Sequence, residues 1–225
     1  MLSEWTAECS LDAPTLVVPW SADESSAGAG AHFVDLRANP YDIAEIVEAE
    51  RNITMARALR SLNATRSPFL TAKCDTWTLS ATEQPEALEA IRMNLLLHED
   101  DALYGYGSYI DLLWRERSVF ASAHQQQDRM DRIVRRAQRL PHPEAAMECI
   151  LRPAFLDLNG PLEGFAVTFY LTAVGPEADI ARRRWELAMD DTVTLLRSKE
   201  LEAARGSATI DATDAYPLRV RHLGS

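Results

Sequence analysis

Lysine is nearly absent from this chain: two of its 23 basic residues are Lys and the rest are Arg. Cysteine is scarce as well. Cys9, Cys74 and Cys149 are odd in number and widely spaced, which excludes a disulfide framework and any C-x-x-C pair for zinc or redox work. His32, His98, His124, His142 and His222 show neither H-x-x-x-H nor H-E-x-x-H spacing, so no metal site is expected. No run approaches the roughly 18 apolar residues that cross a bilayer. The opening Met1-Leu2-Ser3-Glu4-Trp5 lacks the basic start and apolar core of a secretory signal. The expectation is a cytoplasmic protein with no membrane partner.

Positive charge is short overall. The formal net charge is −11, and a compact acidic protein has no pull on phosphate backbones, so nucleic acid is not an expected partner. The stretch Ala27-Gly28-Ala29-Gly30-Ala31 lacks the lysine and the following helix of a phosphate-binding loop. There is no G-x-S-x-G elbow either. No cofactor is expected.

What is present is a globular composition: 225 residues, 47% hydrophobic and 25% charged. The length suits one large domain. The reading is a single α+β domain over 1–206 and a polar tail over 207–225, with an edge-strand pattern at 216–222.

Residues 15–20 and 32–37 read as strands and suggest an N-terminal hairpin. Asn39-Pro40 caps a helix that runs to about Leu62. Residues 69–79, rich in Thr, Phe and Trp, read as a strand. Ser80-Ala81-Thr82-Glu83 resembles a capping box, and so does Ser108-Tyr109-Ile110-Asp111 with Asp for Glu. From 109 to 140 the apolar spacing looks helical, with Pro141 as its stop. Residues 147–158 and 165–174 form the clearest strand pair. Pro153 inside the first calls for a bulge or an outward amide on an edge. A last helix covers about 176–204. The expected architecture is a mostly antiparallel sheet of about four to six strands with helices on one face. It is ferredoxin-like, decorated by the N-terminal hairpin and by a helical insertion over about 83–140.

Three clusters carry chemistry. Lys73-Cys74-Asp75 lies on a predicted strand, where alternation puts Lys73 and Asp75 on one face and Cys74 on the other. Lys73 and Asp75 are candidate catalytic groups; the plainer alternative is a surface ion pair with Cys74 in the core. Tyr104, Tyr106, Ser108, Tyr109, Trp114 and Arg115 are candidate ligand contacts, because a glycine-flexible aromatic stretch before a capped helix can close over a ligand; the alternative is tyrosines covering the core edge. His124 falls in a polar gap of the helical stripe and is a candidate base near neutral pH, or simply an exposed bend.

Charge is segregated. Residues 1–50 hold ten acids and one Arg, whereas Arg129, Arg132, Arg135, Arg136 and Arg139 lie on one helical stretch. The two regions are expected to meet, within one chain or across a homodimer. The functional expectation is a non-catalytic module that binds another protein, its own copy or a small ligand. The rival is an enzyme on a small organic substrate, with its pocket between the sheet and residues 104–117.

Overall fold

The computed structural model describes residues 1–10, 12–21, 31–80, 85–96 and 104–198. The glycine- and serine-rich stretch 22–30 and the tail with its pattern at 216–222 lie outside these.

Six strands form one mixed sheet: β1 (Leu2–Ala7), β2 (Leu16–Val18), β3 (Phe69–Ser80), β4 (Tyr104–Trp114), β5 (Ala145–Leu156) and β6 (Leu162–Gly175). Their order is β1-β5-β6-β4-β3, with β2 also paired to β5. β3, β4, β6 and β5 are antiparallel neighbours. β1 and β2 run parallel to β5. A 3-10 helix (Pro40–Glu45) precedes α1 (Val47–Arg51), α2 (Ile53–Asn63), α3 (Pro85–Asn94), α4 (Arg117–Phe120), α5 (Ala123–Ala137) and α6 (Ala178–Leu196). The α+β class is as expected. The strand order and the parallel β1–β5 pair do not reproduce the ferredoxin-like arrangement.

The N-terminal hairpin does not form. Residues 32–37 are not a strand; Ser21 and His32 make one isolated bridge. β1 and β2 instead lie in line along β5. The β1 ladder ends at Leu151 and the β2 ladder begins at Ala154. Pro153, which has no N–H to offer, sits in that gap while pairing with Phe165 of β6. The proline is therefore tolerated in an interior strand at a point where β5 has no ladder partner on its β1/β2 side, a local edge.

The helical insertion over 83–140 is corrected more deeply. Residues 104–114 are not helix; they are β4, between β6 and β3. Tyr106, Ser108, Ile110, Leu112 and Trp114 alternate with period two, but nearly all of β4 is buried on both faces. Burial on both faces erases the polar/apolar alternation that marks a strand. What remains, Ile110, Leu113 and Trp114, fits a helix equally well. Gly107 belongs to the strand for a steric reason: a Cβ there would lie 2.7 Å from the Trp77 ring. α3 lies within the expected insertion, but in 109–140 helix begins only at α4 and α5.

The helix expected from Asn39 to Leu62 is broken at Ile46 and Asn52, both extended. Asn52 is buried. Its Oδ1 accepts from the Thr54 and Met55 N–H groups at 3.0 and 3.2 Å, capping α2. Its Nδ2 donates to Tyr106 Oη at 2.9 Å and ties the break to β4.

α2, α5 and α6 cover one face of the sheet. Phe169 and Trp185 are both 0% exposed there, and the Trp185 indole donates to Ser108 Oγ at 2.9 Å. The basic helix α5 meets the N-terminal strand within the chain. Trp5 Nε1 donates to Asp131 Oδ1 at 2.8 Å, Gln138 Nε2 to the Ser3 carbonyl at 3.1 Å, and the Met1 ammonium to the Leu140 carbonyl at 2.8 Å.

Among the described residues the other face is covered only at its two ends. α3 packs at one, where Leu95 and Ile91 join Val174 and Ala146. Residues 19–21 and 31–37 lie at the other. Trp20 Nε1 donates to the Ala72 carbonyl at 2.9 Å, and Arg37 shares a hollow with Leu70 and Leu113. Between these ends Tyr109, Tyr170, Thr172, Glu148 and Ile150 are half-buried and Asp75 is exposed. No helix among the described residues is long and apolar enough to cross a membrane.

Candidate functional site

β3 is the last strand of the sheet, and a cleft of about 800 Å³ runs along residues 71–75 at its edge. Trp20, His32 and Val34 form one wall; Glu45, Glu48 and Arg51 form the other. His32 Nε2 and Glu45 Oε2 approach to 3.4 Å and join the walls. A bulge between Thr71 and Cys74 adds one residue to β3 opposite Asp111. Bulges locally disrupt the ladder and re-aim side chains, and here Lys73 Nζ lies 4.8 Å from the centre of the Trp20 ring.

Two of the sequence clusters converge in this cleft. Lys73 and Asp75 come from one, Tyr109 from the other, and all three line it. The β3–β4 register pairs Asp75 directly with Tyr109. Among the described residues, Lys73, Asp75, Glu48 and Arg51 have no opposite charge within 4.0 Å. Cys74 points to the helix-covered face, as alternation predicts. Burial pushes its thiol pKa well up, with Glu48, Asp75 and Asp111 adding to the shift. The shift disfavours the thiolate, which is the nucleophilic form, although half-buried Cys74 also borders the cleft. Burial, with Glu148 beside it, likewise holds Cys149 up at about 12.

The remaining candidates are elsewhere. Tyr104 is exposed at the start of β4. Tyr106 and Ser108 lie under the helices, bonded to Asn52 and Trp185. Trp114 is buried beneath the Arg129 guanidinium, 4.6 Å from its ring centre. Arg115 is a structural clamp: its Nη1 donates to the carbonyls of Ala64, Thr65 and Ser67 at 2.9, 3.0 and 2.9 Å. His124 is exposed in the first turn of α5 and does not line the cleft. Because 104–114 is itself a sheet strand, the pocket expected between the sheet and residues 104–117 is replaced by the cleft along β3.

Sequence reasoning misses Asp111. Its pattern reads as a helix cap, whereas it stands on β4 facing away from the helices and is 5% exposed. Thr168 Oγ1 donates to its Oδ1 at 2.5 Å. Burial raises its pKa, opposed by the Thr168 bond and by the charges of Arg152 and Lys73. A lone carboxylate within the apolar run Ile110–Trp114 is the available signal, since a buried charge needs a reason.

Next to Asp111 a single cross-strand row spans the sheet: Asp75, Tyr109, Tyr170, Glu148 and Glu4. The Tyr109 and Tyr170 rings are 5.9 Å apart, and Trp77 lies 6.4 Å from Tyr109. Burial raises the Tyr109 phenol, as do Asp111 and Asp75. Burial also raises Glu148, reinforced by Glu4 and Glu8. Among the described residues no three His, Cys, Asp or Glu side chains are grouped to hold a metal ion.

No family model matches the chain, and no curated protein or solved structure shows significant similarity to it. The chemistry of the cleft and of the row beside it therefore carries the functional argument.

Proposed function

We propose that this protein is a binding module without chemistry of its own, and that the cleft along β3 and the open sheet face beside it form its ligand site. The observation that carries this is the set of charges in the cleft. Lys73, Arg51, Glu48 and Asp75 stand together without an ion-pair partner among the described residues, around a volume typical of ligand pockets. Charges of both signs favour an organic ligand that presents an acidic and a basic group. Burial and the nearby acids Glu48, Asp75 and Asp111 disfavour the Cys74 thiolate. Asp75 Oδ1 accepts from the Thr76 N–H at 2.7 Å and not from a nucleophile. These features support binding over nucleophilic catalysis.

A thermal-shift panel of amino acids, short peptides and small organic acids tests the reading, because a ligand of the native state raises apparent stability by mass action. A ligand is expected that raises the melting temperature of the wild type and loses that effect in Asp75→Asn or Lys73→Met. A ligand whose effect survives both substitutions binds elsewhere and contradicts the assignment.

A further inference from the structure

From the row of side chains across the open face we infer that the partner is an extended basic peptide segment; this rests on the binding-module reading. Asp75, Tyr109, Tyr170, Glu148 and Glu4 are direct neighbours on five successive strands. Strands are about 4.8 Å apart, so the row is about 19 Å long. An extended chain advances about 3.3 Å per residue, so the row matches about six residues of peptide and is too long for one small cation. α3 at one end of the face, and Trp20, Val34 and Arg37 at the other, make the row the floor of a trough.

The chemistry of the floor selects the peptide. Two tyrosine rings in the middle offer faces on which guanidinium or ammonium groups stack. Carboxylates lie at both ends, and the raised pKa of Glu148 reflects burial and the neighbouring acids Glu4 and Glu8. An independent observation points the same way. Asp111, in the adjacent row, is a carboxylate 5% exposed whose one bond is to Thr168. Among the described residues no cation lies within 4.0 Å of it. Among the described residues the cations on this face are each engaged: Arg152 with Glu8 at 3.6 Å, Arg37 with Asp35 at 3.2 Å, Arg92 of α3 with Glu89 at 3.2 Å, and Lys73 on the Trp20 ring. The face thus carries a surplus of negative charge arranged around aromatic rings, and arginine side chains spaced along an extended peptide complement both.

The test is fluorescence polarisation with a labelled hexapeptide of alternating arginine and serine, in about 0.15 M salt so that diffuse attraction to an acidic protein is screened. Its partners are the same peptide with glutamate for arginine, and free arginine amide as competitor. The arginine peptide is expected to bind and the glutamate peptide not to. Tyr170→Leu and Glu148→Gln should each weaken binding about tenfold, and Glu163→Gln, remote from the row, should leave it unchanged. Glu4→Gln, at an exposed end of the row, keeps the test intact should a central variant misfold. The inference is overturned if the arginine peptide does not bind, if all variants bind it alike, or if arginine amide competes as well as the unlabelled peptide. A ligand from the thermal-shift panel that needs Lys73, together with a silent peptide, removes this inference and leaves the binding module standing. Silence in both assays removes both.

Discussion

Phe169 and Tyr170 are neighbours in β6 and face opposite sides of the same sheet. On the side of Phe169 the surface is closed, and polar groups are tied to one another: Trp185 to Ser108, Asn52 to Tyr106, Asn63 to Thr71. On the side of Tyr170 the middle of the sheet is half-exposed, and its carboxylates Asp75 and Asp111 lack ion-pair partners among the described residues. The contrast separates two tasks. One face contributes the hydrophobic stabilisation. The other packs apolar side chains at its two ends and retains charge and aromatic surface between them.

The sharpest way to break this comparison is to truncate the two neighbours. Phe169→Ala should cost about 3–5 kcal/mol, as for a fully buried aromatic. Tyr170→Ala should cost about 1 kcal/mol, since the ring is half-exposed. Denaturant melts that give equal losses would show that the open face also holds the fold.

Two glycines offer a second contrast. A Cβ on Gly164 would lie 2.5 Å from both the ring and the carbonyl oxygen of buried Phe120. Gly164→Ala should therefore destabilise by about 1–3 kcal/mol. The three atoms nearest a Cβ on Gly107 all belong to the Trp77 side chain, which is half-buried on the open face, so the clash falls on a side chain and not on backbone. Gly107→Ala should lose less stability and instead alter the fluorescence of Trp77. A smaller effect is expected where β1 meets α5: Asp131→Ala removes the acceptor of the Trp5 indole and should cost about 1 kcal/mol by the same melts.

The sequence exposes the parts of this architecture whose pattern is local. The β5–β6 pair alternates on either side of an Asn-Gly turn, and α6 repeats its apolar face at helical spacing. β3 is recognisable from its Thr, Phe and Trp content. β4 is not, because a strand buried on both faces loses its alternation. β1 is not either, and β2 is recognisable as a strand within 15–20 but its partner is not, since pairing with β5 is remote in sequence. The site is legible in pieces. Lys73 and Asp75 are visible as a cluster and Tyr109 as part of another, but only the β3–β4 register joins them. His124 and Arg115 are drawn in by residue type alone, and Asp111 is hidden by an apparent capping box.

The central claim, that the open face holds uncompensated carboxylates, is tested most directly by the stability of an Asp111→Asn/Glu148→Gln variant across pH. Both carboxyls titrate higher in the folded chain than their ordinary values, chiefly through burial. Their stabilising contribution is complete when they are protonated, below the ordinary carboxyl range. It is lost as the pH rises through their raised pKa values. At pH 7 the wild type thus bears a deprotonation penalty that the variant lacks, and the carboxamide introduced by Asp111→Asn can still accept the Thr168 bond. The account predicts a higher urea midpoint for the variant at pH 7, with the gain shrinking as the pH falls toward 4. A variant less stable than the wild type at pH 7 would contradict it, because the carboxylates would then be holding the fold together.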